Sequence, residues 1–335
     1  MKQFLKFLRL SKQVDHLYIQ SFSGYAFADG LRVTGRVLNH KPRNSKTDNS
    51  PYAWQASFAN FNTYEVENVQ VTLWFNGKPV ACCLTNSEGY YYFEVQMLWE
   101  EAKEKQTKWL PYKIQCEYQK LAQEKKCWFF QPNSNFDYGI ISDIDDTLIH
   151  TGVNSFFKWE LIKNSIFTLA EERVPINSAS KFYQALRAQS TDVDRPFFYL
   201  SNSPFNLYSY LQVFLRIHKF PKGVLLLRDF PNLWRQMFNQ EKPHKQKEIL
   251  RILNAFQDKT FVLIGDSGEH DPSIYTEIAQ VYPDRITAIL LRRVKSKSKM
   301  RLASRIVSKF KTTPVVFFSN GEEAITAAKK MGLIQ

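Results

Sequence analysis

The chain has 335 residues, of which 44% are hydrophobic and 23% charged, so it is long enough for two globular domains. Its formal net charge of +13 favours a polyanionic partner such as nucleic acid or an anionic membrane. The sequence contains no run of about 18 apolar residues, which predicts that no transmembrane helix is present.

The first half of the chain has the periodicity of short β-strands. Residues 1–28 read as a basic, amphipathic lead-in. Leu31–Leu38 alternates apolar and polar residues, and a second alternating segment ends at the pair Asn76-Gly77, which is typical of a tight hairpin turn. These signals predict a small all-β, sandwich-like domain over residues 29–134.

From about residue 135 the pattern changes to strands that alternate with helices, which predicts an α/β domain with a parallel sheet over residues 135–335. Ser203-Pro204 reads as a helix start, with serine as the cap and proline in the first turn. The apolar runs that predict strands are 138–141, 197–200, 224–227, 261–264, 286–291 and 315–318. The segments that predict further helices are 179–186, 245–256, 272–279 and 322–331.

Two carboxylates, Asp143 and Asp145, directly follow the first of these apolar runs. The carboxyl ends of parallel strands form the edge of an α/β sheet where ligands bind, so both acids are expected at a functional site. One carboxylate at such an edge can attack phosphorus while the other moves protons.

Three further polar clusters follow predicted strands or begin predicted helices: Ser201-Asn202, His244-Lys245 and Gly265–Asp271. Phosphoryl transfer needs these residue types together. A cation and Mg²⁺ neutralise the phosphate charge, and a hydroxyl and backbone N–H groups hold the phosphoryl oxygens. Carboxylate and carbonyl oxygens are the ligands that Mg²⁺ prefers.

The four clusters, in this order on an α/β pattern, resemble the haloacid dehalogenase superfamily of phosphohydrolases. The resemblance implies a Rossmannoid parallel sheet. Longer motifs are similar to the actin-patch-protein type of phosphatidate phosphatase. These motifs are Ser142–Thr147, Thr151–Val153, Tyr199–Pro204, Leu227–Asp229, His244-Lys245 and Ile264–Asp271, with Gly24-Tyr25 and Gly35–Leu38 in the β region.

The resemblance implies that Asp143 is the nucleophile and a metal ligand. Asp145 would be the general acid and base and would give its backbone carbonyl to Mg²⁺. Asp266 and Asp271 would form the acidic end of the metal site, and either of them could coordinate directly.

The resemblance also implies a binding set for the substrate phosphate. Ser201 and Asn202 would bind the phosphoryl group, and Lys245 would neutralise its charge. Thr147 would support the first loop beside the same group.

Several neighbours of the motifs have a second interpretation. A structural role is favoured for His244 and His270, and a structural ion pair is favoured for Arg228-Asp229. Two segments with apolar side chains, 148–177 and 230–243, could gate the substrate or simply pack on the sheet. Both are too short for a large cap domain, so an open site is expected.

The expected function is dephosphorylation of phosphatidate or a related lipid phosphate, with peripheral contact to an anionic membrane. The basic segment 292–311 could make that contact, or it could be a solvated loop and helix face. A soluble phosphomonoester is the alternative substrate, and a non-catalytic membrane- or lipid-binding adaptor is the alternative class. A nucleic-acid partner has no support beyond charge, and the sequence carries no signal for an oligomeric state.

The start of the chain and its cysteines predict a cytoplasmic protein that is not secreted. Charged residues interrupt the apolar stretch 1–10, which argues against a signal peptide. The cysteines match no zinc spacing and no disulfide framework; they are Cys82, Cys83, Cys116 and Cys127.

Overall fold

The computed structural model describes residues 14–27, 29–40, 65–96, 108–133, 135–144, 179–187, 194–228 and 243–334. These residues form an eight-stranded, mainly antiparallel sheet followed by a six-stranded parallel sheet with helices. The predicted fold class, an α/β parallel sheet preceded by an all-β region, is confirmed. No helix in the described part of the chain has the length and apolar character needed to cross a bilayer.

The first sheet has the strand order β1-β3-β2-β8-β7-β4-β5, with β6 paired to β3. Its strands are β1 (Tyr18–Ser21), β2 (Gly24–Phe27), β3 (Gly30–Leu38), β4 (Gln70–Phe75), β5 (Lys78–Leu84), β6 (Tyr90–Gln96), β7 (Lys108–Tyr118) and β8 (Leu121–Gln131). Strands β1 and β2 lie within the segment that was predicted as a lead-in. The predicted hairpin turn joins β4 to β5, where Asn76 and Gly77 both have positive φ angles, of 50° and 75°.

Alternation along β3 gives the first sheet two different faces. Leu31 and Val33 point into the core of the first sheet and are almost fully buried. Arg32 and Thr34 lie on the opposite face, as the period of two along a strand requires. That second face packs against the parallel sheet.

The second sheet has the order β11-β10-β9-β12-β13-β14, and every neighbouring pair is parallel. Its strands are β9 (Tyr138–Asp143), β10 (Phe197–Pro204), β11 (Val224–Arg228), β12 (Thr260–Asp266), β13 (Ile286–Arg292) and β14 (Val315–Phe318). Strand β9 is central, between β10 and β12, so its carboxyl end has a neighbour on each side.

The parallel sheet carries six helices in the described ranges. They are α1 (Ala179–Arg187), α2 (Tyr208–Ile217), α3 (His244–Ala255), α4 (Asp271–Val281), α5 (Lys297–Lys309) and α6 (Gly321–Lys330). Helices α1, α3, α4 and α6 lie within one or two residues of their predicted positions. Helix α5 occupies most of the basic segment 292–311.

The predicted helix start at Ser203-Pro204 is wrong. Strand β10 continues to Pro204, which pairs with Arg228 of β11, and a short 3-10 helix, Phe205–Leu207, then leads into α2. The backbone N–H of Ser203 donates to Ser201 Oγ at 3.0 Å. Pairing with β11 outweighs the local cap signal.

Each face of the parallel sheet is covered by an apolar core that also includes residues from the region of the first sheet. One apolar core contains Ile140 of β9 together with Phe22, and the other contains Ile141 together with Tyr25. The ring of Phe22 stacks on Phe205 with centroids 4.2 Å apart. The two sheets are therefore joined by a continuous apolar contact.

Candidate active site

The strand order brings three of the predicted residues to one sheet edge. Asp143 ends the central strand β9, Ser201 lies near the end of β10, and Asp266 ends β12. Asp143 pairs with Leu200 in the register, and Ser142 pairs with Ile264, so Asp143, Ser201 and Asp266 lie nearly level along the strand direction. All three side chains belong to residues with 0% exposure.

Lys245 links the predicted clusters. It is the second residue of α3, and its Nζ lies 2.8 Å from Asp143 Oδ1 and 2.8 Å from Asp271 Oδ1. A third carboxylate, Glu269 Oε2, lies 3.3 Å from the same nitrogen. The Lys245 side chain is only 3% exposed, so these contacts are made out of bulk water.

Electrostatics keep Lys245 charged. Burial by itself would lower its pKa, but Asp143, Asp271 and Glu269 outweigh burial and hold the pKa of the ammonium well above its ordinary value. The sheet edge therefore presents a fixed positive charge beside the Asp143 carboxylate, as an attack on a phosphate dianion requires.

Asp271 organises the loop between β12 and α4. Its Oδ1 accepts from Lys245, and its Oδ2 accepts from the backbone N–H of Asp266 at 3.1 Å. A Cβ atom at Gly265 would lie 2.5 Å from Asp271 Oδ2, so glycine permits this close approach. Asp271 thus holds the lysine and the end of β12 in one arrangement.

Asp266 has a different set of partners. Arg292 at the end of β13 donates from Nη2 to Asp266 Oδ2 at 2.9 Å, and the N–H of Gly268 donates to Oδ1. Asp266 and Arg292 are register partners on the adjacent strands β12 and β13, which explains their ion pair. Sequence reasoning placed Arg292 only in a basic segment. Its position after a buried strand was the signal that could have marked it as a site residue.

Glu269 was also missed as an individual residue, although it lies within the quoted cluster Gly265–Asp271. Its partner, Lys245, is 24 positions away in the sequence, so only the fold brings the two together.

The remaining predicted residues lie in different places. Ser201 is fully buried and Asn202 is exposed at the end of β10. Asp145 and Thr147 lie outside the described residues. So do the predicted gating segments, apart from Pro243 at the end of the second one.

Mg²⁺ is implied by the resemblance, and the donor chemistry of this edge fits it. Asp143 and Asp266 place two buried carboxylates at the ends of adjacent strands, and Mg²⁺ prefers carboxylate oxygen. Within the described ranges, no group of three or more His, Cys, Asp or Glu side chains is arranged to hold a metal ion.

Comparison with known proteins identifies the segment that carries this edge. Residues 138–293 match the family model of the catalytic domain of phosphatidate phosphatase APP1. Over 160 residues the chain is 36% identical to phosphatidate phosphatase APP1 of Saccharomyces cerevisiae, covering 48% of this chain and 26% of the yeast protein. Over 158 residues it is 29% identical to an uncharacterized protein of Schizosaccharomyces pombe, covering 47% of this chain and 25% of that protein.

The fold and the site define this part of the chain as an α/β domain with a buried cluster of acids and one lysine at the carboxyl edge of its parallel sheet. More narrowly, residues 138–293 are similar to the catalytic domain of phosphatidate phosphatase APP1, in agreement with the resemblance seen in the motifs. The matched segment runs from β9 to the end of β13 and leaves the first sheet outside it. The match spans about a quarter of the length of each curated relative.

Proposed function

We propose that the protein is a Mg²⁺-dependent phosphohydrolase that removes the phosphate group from phosphatidate or a related lipid phosphate. The observation that carries the proposal is the buried cluster of Asp143, Lys245 and Asp271 at the carboxyl edge of the parallel sheet. It lies within a segment that matches the catalytic domain of a phosphatidate phosphatase.

In the first step, a carboxylate oxygen of Asp143 attacks phosphorus, and the bond from phosphorus to the ester oxygen breaks. Asp145 gives its proton to the departing alkoxide, and an acyl-phosphate remains on Asp143. In the second step, Asp145 takes a proton from water as the water oxygen attacks phosphorus. The bond from phosphorus to the Asp143 oxygen breaks, which releases inorganic phosphate and restores the Asp143 carboxylate. The position of Lys245, 2.8 Å from Asp143, supports a role in holding the phosphoryl charge in both steps.

When bound, Mg²⁺ would neutralise charge on the phosphoryl oxygens. Asp143, the backbone carbonyl of Asp145 and the acidic pair Asp266 and Asp271 would hold it. The oxygens of Asp266 accept from Arg292 and the N–H of Gly268, and those of Asp271 accept from Lys245 and the N–H of Asp266. The two carboxylates are therefore equivalent candidates for direct coordination at the acidic end of the site.

The basic helix α5 supports the lipid part of the proposal. The carboxyl end of β13 lies at the same sheet edge as Asp143, and this helix follows β13 in the chain. The basic segment therefore starts at the edge that carries the site. Leu302 on this helix is 58% exposed among cationic neighbours such as Arg301 and Arg305. Apolar and basic groups on one exposed helix suit the surface of an anionic bilayer.

The test is phosphate release in the presence of Mg²⁺, from phosphatidate in mixed micelles and from a panel of soluble phosphomonoesters. Excess EDTA and the Asp143→Asn variant are the controls. We expect release chiefly from phosphatidate, with loss of release in both controls. Release chiefly from a soluble ester would replace the substrate and keep the chemistry. Full cellular function of the Asp143→Asn variant would instead identify a non-catalytic adaptor.

A second measurement tests the membrane contact. Turnover of phosphatidate is compared in vesicles of phosphatidylcholine with and without phosphatidylglycerol, at low and high salt. We expect anionic lipid to raise turnover at low salt, because salt screens the attraction between basic residues and the bilayer. Turnover that is indifferent to anionic lipid would remove the peripheral contact from the proposal.

A further inference from the structure

A cavity of about 280 Å³ lies between the second face of the first sheet and the elements β11 and α3. Its volume is just below the range of about 300–1,000 Å³ that is usual for small-molecule sites, and such sites often lie between domains. The apolar part of its wall comes from Leu225–Leu227 together with Phe205 and Tyr25.

The polar wall of the cavity is strongly basic. Among the residues that the structure describes, four cationic side chains and one carboxylate line it: Arg32, Arg228, Lys247, Arg251 and Glu248. Counting these charges gives +4 and −1, a formal net charge of +3 for the lining. A site with this charge attracts anions, and guanidinium groups match the oxygens of phosphate groups in particular.

The single carboxylate is already neutralised within the protein. Glu248 Oε2 lies 3.2 Å from Arg32 Nη1, and Glu248 Oε1 lies 2.5 Å from Arg251 Nη1. Burial alone would raise the pKa of Glu248, but Arg32, His244 and Arg251 together lower it, so the carboxylate stays ionised. An incoming anion would therefore meet the arginine side chains rather than an isolated carboxylate.

His244 adds a neutral polar group to the wall. The pKa of His244 is lowered to about 4, mainly by burial. The negative charge of Glu248 raises this pKa, and the positive charges of Arg228, Arg251 and Arg32 lower it. The buried Nε2 atom of His244 has no hydrogen-bond partner among the residues that the structure describes. Buried polar atoms are nearly always satisfied, so a ligand that bonds to this nitrogen would complete the site.

The cavity adjoins the catalytic edge, because Arg228 ends β11 at the same side of the sheet, but it has its own lining. None of the described site residues lines it, whether Asp143, Ser201, Lys245, Asp266 or Asp271. The lining positions of α3, 244, 247, 248 and 251, recur at helical spacing on one side of the helix, whereas Lys245 is turned toward the acids. Arg228 pairs with Pro204, so the cavity begins beside the strand that carries Ser201.

We propose that this cavity is a second anion site, which binds the phosphate group of a small phosphorylated ligand through Arg32, Arg228, Lys247 and Arg251. The apolar wall receives the uncharged part of that ligand. The ligand is either a soluble phosphate ester or the headgroup of an anionic lipid, since both present the same group to the arginines. The proposal does not depend on phosphatase activity.

The test is calorimetric titration of the full chain with propylphosphonate, whose carbon–phosphorus bond a phosphatase does not hydrolyse. The double variant Lys247→Gln/Arg251→Gln removes two charges from the cavity. The matched control is Lys329→Gln/Lys330→Gln, because both lysines are exposed on α6, which packs on β14 at the other end of the sheet. The variant Lys245→Ala reports separately on the catalytic edge.

We expect the cavity variant to lose a binding event that both the control and Lys245→Ala retain, with affinity falling about tenfold or more. If the cavity variant binds as the control does, or if Lys245→Ala abolishes all binding, the proposal is overturned. If the cavity variant loses this binding event and the unaltered protein releases phosphate from no substrate, the proposed function is wrong and the second anion site stands.

A measurement on the unaltered protein covers the case in which the double variant does not fold. Acetylation of Lys247 by acetic anhydride is followed by mass spectrometry, with and without propylphosphonate. We expect protection of Lys247 and none of Lys330. Equal acetylation of Lys247 in both samples would refute the site.

Flotation with vesicles distinguishes the two sources of the ligand. If the cavity takes a lipid headgroup, the cavity variant binds vesicles of phosphatidylcholine with phosphatidylglycerol less than the control does. If it takes a soluble ester, the two proteins float equally and differ only in phosphonate binding.

Discussion

At the scale of single residues, the charge of Lys245 dominates the electrostatics of the sheet edge. Its buried ammonium lies within 3.3 Å of three carboxylates. The same residue therefore serves the stability of the edge and its proposed function.

Replacing Lys245 by methionine leaves Asp143, Asp271 and Glu269 without their shared cation. We expect the free energy of unfolding to fall by about 3–5 kcal/mol, the usual cost of leaving a buried charge uncompensated. Urea denaturation measures the change, with Lys330→Met as an exposed control. Equal stability of the two variants would show that Lys245 does not hold the acids together.

Replacing Asp143 by asparagine removes the proposed nucleophile and keeps the size of the side chain. We expect phosphate release to fall by about 10³-fold or more, because no other described carboxylate ends the central strand. The matched control is Asp194→Asn, which breaks an exposed ion pair with Arg187. Activity of the Asp143 variant near that of the control would assign the nucleophile to another residue.

The imidazole of His244 makes stability depend on pH. Its pKa is about 4 in the folded protein and 6.5 by its ordinary value, so the unfolded chain takes up a proton first as the pH falls. The neutral ring therefore contributes stability above pH 6.5, and that contribution is lost as the pH falls toward about 4.

Between pH 6.5 and about 4, the free energy of unfolding of the His244→Gln variant should fall less than that of the unaltered protein. We expect a difference on the order of 2–3 kcal/mol. Thermal and urea unfolding across this range measure it. Asn254→Gln, on the exposed side of α3, changes no titratable group, so it is the control and should keep the wild-type slope. An unchanged slope in the His244 variant would mean that another group titrates there.

At the scale of elements, helix α3 connects the first sheet to the catalytic edge. Glu248 lies one turn after Lys245 and pairs with Arg32 of β3, whose side chain is 18% exposed. The pair ties the helix to a strand that precedes it by more than 200 residues. We infer that Arg32 acts as a positioning residue for Lys245.

Replacing Arg32 by glutamine should lower the free energy of unfolding by about 2 kcal/mol, typical of a hydrogen bond to a charged group. We expect turnover to fall while KM changes little, and hydrogen exchange to increase in α3. Lys113→Gln is the matched control, since its pair with Glu124 is largely exposed. If exchange in α3 is the same in both variants, Arg32 does not position the helix.

At the scale of the whole molecule, the two sheets share their apolar cores. Phe22 leaves the first sheet to stack on Phe205, and Ser23 Oγ lies 2.6 Å from Tyr208 Oη. Because these contacts are buried, we expect the described parts of the chain to unfold in one cooperative transition.

Replacing Phe22 by alanine opens a cavity at this junction. We expect a loss of about 3–5 kcal/mol and a separation of the single calorimetric transition into two. Phe93→Ala, within the core of the first sheet, should cost a similar amount without separating the transitions. One sharp transition in both variants would show that Phe22 is not essential to the coupling of the sheets.

The strand–helix alternation, the hairpin at Asn76-Gly77 and the order of the polar clusters could all be predicted from the amino-acid sequence. This is possible because periodicity and turn chemistry are local, and because parallel strands deliver their last residues to one edge. The sequence identified Asp143, Ser201, Lys245, Asp266 and Asp271, and their placement at that edge follows from the strand order. Their catalytic roles stay predictions.

Features that depend on pairing between distant segments became visible in the folded chain alone. Pairing of Pro204 with β11 extended β10 past a local helix signal, and register brought Arg292 to Asp266. The basic cavity draws its lining from β3, β11 and α3, which are far apart in sequence. Such contacts carry no local pattern, because each residue's own neighbours are compatible with many partners across the fold.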